Sequence, residues 1–256
     1  MKKSWHPMRL AIWSLFFFVL AAGGCSNKNH DPLEKVNRLV DNLNNFVDRA
    51  VVRDVAMAYE KNVSGSVRDG VDNFFTNLGY LNVILNDHLQ GRFAQGWRDT
   101  ERLAINSTIG VLGVFDPATG MGRPRERNDF GITLGRWGFG SGPYLVLPIL
   151  GPSSVRDAPA IIVSRVTNPM FWLNPPLEVS LPMDAVSFVD QRARLQSQID
   201  VRDRAALDPY TFTRDIYLRH RASRIGGTTE EAYNEEGELF YDTAPQTVPG
   251  ATDYIR

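Results

Sequence analysis

The one cysteine of this 256-residue chain, Cys25, has the most distinctive chemical context of any side chain in it. Three basic and no acidic residues precede position 10, and residues 10–22 are apolar apart from Ser14. Gly23 and Gly24 then lead into the cysteine. An apolar run of this length is typical of a signal peptide and is too short to cross a bilayer comfortably. The sequence therefore predicts cleavage before Cys25 and acylation of its thiol.

This leader divides the start of the chain into a signal peptide, residues 1–24, and a lipidated tether, residues 25–30. The covalent group expected on Cys25 is a diacylglycerol with an acyl chain, and no other cofactor is expected. Ser26 rather than aspartate follows the cysteine, as is typical of lipoproteins that are released to the outer membrane. The alternative is a plain secretory signal followed by an incidental cysteine.

Amide and carboxylate side chains form a line along the first predicted helix, which begins at the capping residue Asp31. The line consists of Asn37, Asp41, Asn44 and Asp48, with Asn45 grouped beside them. An apolar stripe at spacings of three and four residues runs next to it. Because amides and carboxylates bond phosphate esters and ammonium groups, the line is a candidate path for lipid headgroups. The alternative is the solvated flank of an amphipathic helix.

Catalytic and metal-binding signatures are missing from the sequence. There is no H-E-x-x-H pair, no second cysteine, no G-x-S-x-G elbow and no P-loop, so the sequence supports neither an enzyme nor a metal site. Without residues 1–24 the chain carries 25 basic and 29 acidic side chains, a net charge of −4. That balance argues against nucleic acid as a partner.

Helical periodicity dominates the rest of the first half and returns near the end of the chain. Apolar residues at helical spacing predict helices over residues 67–88, 93–109, 184–202 and 209–224, the last one capped by Asp208. Sustained period-2 alternation does not occur in the first half. We therefore expect an all-α fold of amphipathic helices over residues 31–225.

Glycine is concentrated between positions 110 and 151, which hold 10 of the 21 glycines. Since each glycine inside a helix costs about 1 kcal/mol relative to alanine, this segment predicts one long irregular loop or hairpin rather than a regular helix. It is either a connector or a gate. The candidate gating residues are Gly131, Gly135, Gly138, Gly140, Gly142, Pro143 and Tyr144.

Two further segments have a distinctive composition. Residues 161–173 are largely apolar and are interpreted by default as a core helix, with a lipid-facing belt around Trp172 as the alternative. Residues 192–224 carry eight arginines against four aspartates, which indicates a solvated face or one that is attracted to lipid phosphates. Residues 226–256 are acidic with few aliphatic side chains, so a disordered tail is expected.

An ordered set of short motifs resembles the MlaA (VacJ) family of outer-membrane lipoproteins. The set spans residues 31–225 and includes Asp31-Pro32-Leu33-Glu34, Asn73-Phe74-Phe75, Asn106-Ser107-Thr108, Gly142-Pro143-Tyr144 and Asp208-Pro209-Tyr210. The resemblance implies a ring-shaped helical body embedded in the inner leaflet of the outer membrane, anchored on its periplasmic side. It also implies a polar channel that passes misplaced phospholipids toward the periplasm.

The partners that the resemblance implies are phospholipids, a trimeric outer-membrane porin and a soluble periplasmic lipid carrier. The expected function is therefore the maintenance of lipid asymmetry without catalysis. One alternative is a structural lipoprotein that scaffolds porins or envelope partners without moving lipid. Another is a lipid hydrolase, against which the missing catalytic motifs argue.

Overall fold

The computed structural model describes residues 31–226, which form mostly helices joined by short connections. In chain order the elements are α1 (Glu34–Val47), a π-helix (Asp48–Val52), α2 (Arg53–Asn62), α3 (Gly65–Leu89), α4 (Phe93–Thr108), α5 (Pro117–Gly120), α6 (Phe130–Arg136), β1 (Tyr144–Leu147), β2 (Gly151–Ser154), α7 (Ala158–Thr167), α8 (Pro169–Leu173), α9 (Leu177–Arg194), α10 (Gln196–Ala205) and α11 (Pro209–Ile225). The expected all-α class is confirmed. Cys25, the leader, the tether and residues 227–256 lie outside the described residues.

Local sequence signals place several helix ends correctly. Helices α3 and α4 begin and end within two residues of the expected bounds. The Asp208 side chain accepts a hydrogen bond from the Tyr210 amide, and Pro209 is the first residue of α11. Gly226 ends that helix with φ of +97°, a conformation in which glycine carries no steric penalty.

The expected helix over residues 184–202 is wrong at both ends. Helix α9 begins at Leu177 and contains Pro182, and α10 begins at Gln196 after a break at Leu195. Proline removes one backbone donor and usually breaks a helix, so the sequence pattern favours a start after it. The structure instead accommodates Pro182 in the second turn of α9.

The glycine-rich segment is more ordered than its composition suggests. Asp116 and Asp129 cap helices α5 and α6 by accepting hydrogen bonds from the amides of Thr119 and Ile132. The expectation that this segment contains no regular helix is therefore wrong for residues 130–136. The expected hairpin is present as β1 and β2, an antiparallel pair in which Tyr144 faces Ser154 and Leu147 faces Gly151. We call β1, β2 and their three-residue loop the hairpin.

The distribution of side chains is the reverse of that in an ordinary water-soluble domain: many polar side chains are buried and many large apolar ones are exposed. Of the described residues, 16 buried side chains are polar or charged and only 10 buried ones are hydrophobic, whereas 39 large hydrophobic residues are exposed. The apolar stripe of α1 is part of this surface, with Leu39 71% exposed. The default interpretation of residues 161–173 as a core helix is wrong, since Trp172 and Leu173 are 74% and 69% exposed.

Helix α11 holds the hairpin and the shorter helices together. The Tyr144 ring of β1 packs against Tyr210 and Tyr217 of α11, with both centroid distances at 5.9 Å. The guanidinium of Arg221 bonds Asp129, the cap of α6, and Asp157, which precedes α7. These contacts fix the hairpin between α11 on one side and α1 on the other.

Candidate functional site

Two asparagines of the predicted polar line bind the backbone of the hairpin. The Asn37 Nδ2 donates to the Tyr144 carbonyl at 2.9 Å, and its Oδ1 accepts the Val146 amide at 3.0 Å. Seven residues later, Asn44 donates to the Leu147 carbonyl at 3.0 Å and accepts the Ile149 amide at 2.8 Å. Asn37 is 2% exposed, so in this arrangement it faces β1 and not an open path.

The tip of the hairpin is conformationally strained. Ile149 has φ of +67°, which is an outlier for a β-branched residue. Its amide is the one that Asn44 accepts, and Gly151 after it has φ of +78°. Asn44 therefore helps to hold an unfavourable turn whose apolar side chains, Ile149 and Leu150, are exposed.

The other face of α1 borders an open cavity of about 520 Å³ that is lined mostly by charged and amide residues. Asp41 and Asn45, both from the predicted line, lie in its wall, and the Asn45 Nδ2 donates to Asp41 Oδ2 at 2.9 Å. The remaining wall comes from α10, the start of α11 and the π-helix. The other charged residues of the wall are Arg38, Arg49, Arg202, Asp203 and Asp208. We call this space the α1 cavity.

Most charges around the α1 cavity are already paired. Arg38 donates to both carboxylate oxygens of Asp208, at 3.1 and 2.6 Å, and to Glu34 at 2.8 Å. The bond from Arg38 is the main reason that the pKa of Asp208 is lowered. Arg38 also lies 4.4 Å above the Tyr210 ring and covers that aromatic face. Arg202 pairs with its neighbour Asp203.

Arg49 is the functional candidate that the sequence reasoning missed. It is exposed at the α1 cavity, and within residues 31–226 it has neither a hydrogen-bond nor a carboxylate partner. Asp41, Asn45 and Arg49 follow at intervals of four residues, so the signal is present as a second helical ridge. The predicted line includes Asp41 and Asn45 from this ridge but stops at Asp48 and leaves out Arg49.

Asp48, the last member of the predicted line, lies away from the cavity. Its two oxygens accept hydrogen bonds from the Arg192 Nε and Nη2 at 2.6 and 2.8 Å. This bidentate pair joins the π-helix to α9, and the Arg192 side chain is only 8% exposed. The structure thus separates the five predicted residues into two that bind the hairpin, two that border the cavity and one that joins helices.

The candidate gating residues also have different positions. Gly131 and Gly135 lie on one face of α6, where an added Cβ would come within 2.4 Å of Asp157 Oδ1 and of Ile225 Cδ1 respectively. Gly138 and Gly140 are exposed, with nothing within 4 Å of an added Cβ. Gly142 and Pro143 lead into β1, where the Tyr144 side chain is buried. Of these candidates, the glycines at 138 and 140 have the open surroundings that a hinge requires.

A second cavity, of about 270 Å³, lies on the α7 side of the hairpin. Its wall combines apolar hairpin residues, Leu147 and Leu150, with the paired charges of Asp157 and Arg221. Burial alone would raise the pKa of Asp157, but the bond from Arg156 and the charge of Arg221 outweigh it, so the pKa is lowered. Ion pairs within the protein balance these charges, although the buried Arg221 Nε has no hydrogen-bond partner among residues 31–226.

Metal ligation and membrane crossing find no support in the described part of the chain. Residues 31–226 contain no group of three or more histidine or acidic side chains placed to hold a metal ion. Over the same residues, no helix has both the length and the apolar character that crossing a bilayer requires.

The family model of the MlaA lipoproteins matches residues 29–224, about three quarters of the chain. The chain belongs to the MlaA lipoprotein family. This result confirms the resemblance that the ordered motifs indicated.

Individual MlaA relatives agree with this assignment. The intermembrane phospholipid transport system lipoprotein MlaA of Escherichia coli is 32% identical over 240 residues, which cover 91% of this chain and 94% of that protein. The Haemophilus influenzae protein of the same name is 28% identical and covers 80% and 86%. MlaA proteins are named for phospholipid transport and are not known as an enzyme family.

A solved structure has the same fold. It concerns the structural basis for maintenance of bacterial outer membrane lipid asymmetry and superposes with a TM-score of 0.67 at 29% identity. The match covers 77% of this chain and 100% of the other.

Proposed function

We propose that this protein removes phospholipids from the outer leaflet of the outer membrane and passes them toward the periplasm, which keeps the two leaflets different in composition. Acylation of Cys25 would anchor it on the periplasmic side, in the inner leaflet. The names of its MlaA relatives support lipid transport as the coarse function. The route, the anchor and the partners are our proposals.

The observation that carries this proposal is the inverted distribution of side chains. The 39 exposed large hydrophobic residues within 31–226 suit contact with acyl chains, whereas contact with water would be unfavourable. Buried asparagines, aspartates and arginines make the interior polar. A charged headgroup cannot enter hydrocarbon cheaply, so a polar interior inside an apolar shell is the arrangement that conducting a phospholipid requires.

The α1 cavity is the best candidate for a headgroup station on that route. Its volume of about 520 Å³ lies within the range of about 300–1,000 Å³ typical of small-molecule sites. Asp41 and Asn45 supply polar groups there, while exposed Phe46 adds an apolar contact for the adjoining chains. We assign Asn37 and Asn44 to the control of the route, since they hold the hairpin on the other face of α1 from the cavity.

The hairpin is the proposed gate. Its strained tip and its exposed approach, residues 138–140, allow a rearrangement, whereas Tyr144 and the two asparagines hold the position seen in the structure. A porin trimer as neighbour and a soluble periplasmic lipid carrier as acceptor complete the proposal, as does a ring-shaped body around the route. No catalytic step is needed, since the lipid is moved unchanged.

The decisive experiment is deletion of the gene in the bacterium that encodes it. We expect more phospholipid in the outer leaflet and greater sensitivity to detergent, both reversed by the wild-type gene. Complementation with Asp41→Asn is expected to restore less than wild type, and Asp54→Asn, an exposed acid on α2, serves as the matched control. Unchanged leaflet composition after deletion would contradict transport. If leaflet composition is unchanged in the deletion strain while the wild-type protein co-purifies with a porin, the scaffold alternative is favoured.

A further inference from the structure

The charges that remain unpaired in the α1 cavity have opposite signs. Arg38 is paired with Asp208, and Arg202 with Asp203, so these four residues balance each other. Asp41 and Arg49 are left, one acid and one base, without ion-pair partners in the described chain. Such a cavity matches a ligand that carries one positive and one negative group.

Asp41 lies in the cavity wall and has one carboxylate oxygen without a donor among the described residues. Its Oδ2 accepts the Asn45 amide, while no residue within 31–226 donates to Oδ1. Burial raises the pKa of Asp41, and the nearby charge of Arg202 and the bond from Asn45 offset part of that effect. A half-buried acid whose ionised form lacks a full set of donors is a good acceptor for a ligand that brings its own N–H groups.

Donors for an anionic group stand in the same wall. Arg49 is exposed and unpaired, and its five N–H groups are free for a phosphate. Arg202 bonds Asp203 through Nε and Nη2, which leaves Nη1 available. Arg202 and Asp41 both line the cavity, and the positive charge of Arg202 lowers the pKa of Asp41. Arg202 is therefore a second phosphate donor close to Asp41.

We propose that the α1 cavity binds the headgroup of a zwitterionic phospholipid with a primary ammonium group, that is, a phosphoethanolamine lipid. The ammonium donates to Asp41 Oδ1, and the phosphate accepts from Arg49 and Arg202. This inference rests on the proposed transport of phospholipids and specifies which headgroup the protein prefers.

Other common headgroups satisfy the cavity less well. A phosphoglycerol headgroup offers its phosphate but no cation, so the charge of Asp41 stays unpaired. A phosphocholine headgroup offers a cation without N–H groups, which cannot donate to Asp41. Quaternary ammonium groups are usually bound between aromatic rings. Here the Tyr210 face is occupied by Arg38, so Phe46 is the aromatic residue of the wall that is left.

The test is lipid competition on the full-length protein in detergent. Equimolar dioleoyl phosphatidylethanolamine, phosphatidylglycerol and phosphatidylcholine are added, and native mass spectrometry identifies the retained lipid. We expect phosphatidylethanolamine to be retained about tenfold over each of the other two, a ratio that corresponds to about 1.4 kcal/mol. An excess of soluble glycerophosphoethanolamine should compete only weakly, since it lacks acyl chains.

Variants on α1 and the π-helix separate the two contacts. Asp41→Asn should bring phosphatidylethanolamine and phosphatidylglycerol to equal retention, and Arg49→Gln should lower the retention of all three lipids. Asp54→Asn and Arg53→Gln, which change exposed residues of α2 that lie outside the cavity wall, should behave as wild type. Since Arg49 is exposed and unpaired, we expect Arg49→Gln to fold normally, so that a loss of lipid retention reports on binding rather than on folding.

Three results would overturn the assignment. They are equal retention of the three lipids by the wild type, an unchanged preference in Asp41→Asn, and competition by glycerophosphoethanolamine as strong as that by the lipid. Retention of lipid without selectivity contradicts the headgroup preference and leaves the transport proposal standing. Retention of no lipid at all contradicts both.

Discussion

Asn37 and Asn44 lie seven residues apart on α1 and bind the same hairpin, each with both ends of its side-chain amide. Seven residues of an α-helix rise about 10.5 Å, and three residues of a strand extend about 10 Å. The spacing of seven on the helix therefore matches a shift of three along the hairpin, from residues 144 and 146 to residues 147 and 149. This match in length lets one helix face bind the hairpin backbone at two points.

Substituting the buried Asn37 should destabilise the protein more than substituting the less buried Asn44. Asn37→Ala leaves the buried Tyr144 carbonyl and Val146 amide unpaired, at a cost of about 2–4 kcal/mol in the free energy of unfolding. Asn44→Ala exposes its partners to solvent, so we expect a loss below about 1 kcal/mol. Guanidinium denaturation followed by circular dichroism measures both. Equal losses in the free energy of unfolding would show that the stabilisation by these asparagines does not depend on burial.

The sequence places the polar line on one side of a helix and misjudges what its members contact. Composition and spacing indicate that Asn37, Asp41 and Asn44 lie near one another on α1, because helical periodicity is a local property. They cannot show that the hairpin, more than 100 residues later, docks on that side. Long-range hydrogen bonds between side chains and backbone leave no trace in a local sequence pattern.

The inability of local patterns to show long-range contacts also explains the wrong predictions for residues 130–136 and 161–173. Glycine content argues against helix at residues 130–136, where the cap from Asp129 and the close approach of Asp157 and Arg221 outweigh helix propensity. Composition favours a core position for residues 161–173, because apolar segments of water-soluble proteins pack inside. That rule fails for Trp172 and Leu173, whose exposure is instead consistent with a lipid environment.

Alanine substitutions should divide the glycine-rich segment into packing and hinge positions. Gly131→Ala would place a Cβ 2.4 Å from Asp157 Oδ1 and 2.5 Å from Arg221 Nη2, so we expect a loss of about 1–3 kcal/mol in stability. Gly140→Ala meets nothing within 4 Å and should unfold as wild type does. Thermal unfolding compares them. If Gly140→Ala slows lipid removal at unchanged stability, residues 138–140 act as the hinge, and full activity would argue against that role.

The contribution of a buried acid on α3 to stability should fall as the pH rises from 4 to 6. Burial raises the pKa of Asp87 to about 6, and its hydrogen bond with Asp99 acts in the same direction. The folded state then holds a proton that the unfolded chain, with its pKa near 3.9, has already released. The contribution of Asp87 is thus present at low pH and lost as the pH rises through about 6.

The variant Asp87→Asn isolates this effect from other titrating groups. Asp41 acts in the same direction. His220 acts in the opposite direction, because burial lowers its pKa and the folded state loses stability as the pH falls below about 6.5. The lowered pKa values of Asp116 and Asp157 remove stability only below about pH 4. We expect the variant to lose part of the decrease between pH 4 and 6, by an amount up to a few kcal/mol. Denaturation midpoints at several pH values test it, with Asp54→Asn as control. Parallel curves for wild type and Asp87→Asn would exclude Asp87 as the source.

The exposed apolar surface should keep the protein on the membrane without its lipid anchor. Cys25→Ala prevents acylation, yet the side chains around Trp172 and Leu173 still bury apolar area in a bilayer, at about 25 cal/mol per Å². We expect this variant to fractionate with the outer membrane, and the further changes Trp172→Glu and Leu173→Glu to release it. The control for the substitutions near α9 is Glu178→Gln, which replaces the carboxylate of an exposed residue by an amide and introduces no new acid. Release by Cys25→Ala alone would show that the acyl chains, and not the helices, hold the protein in its leaflet.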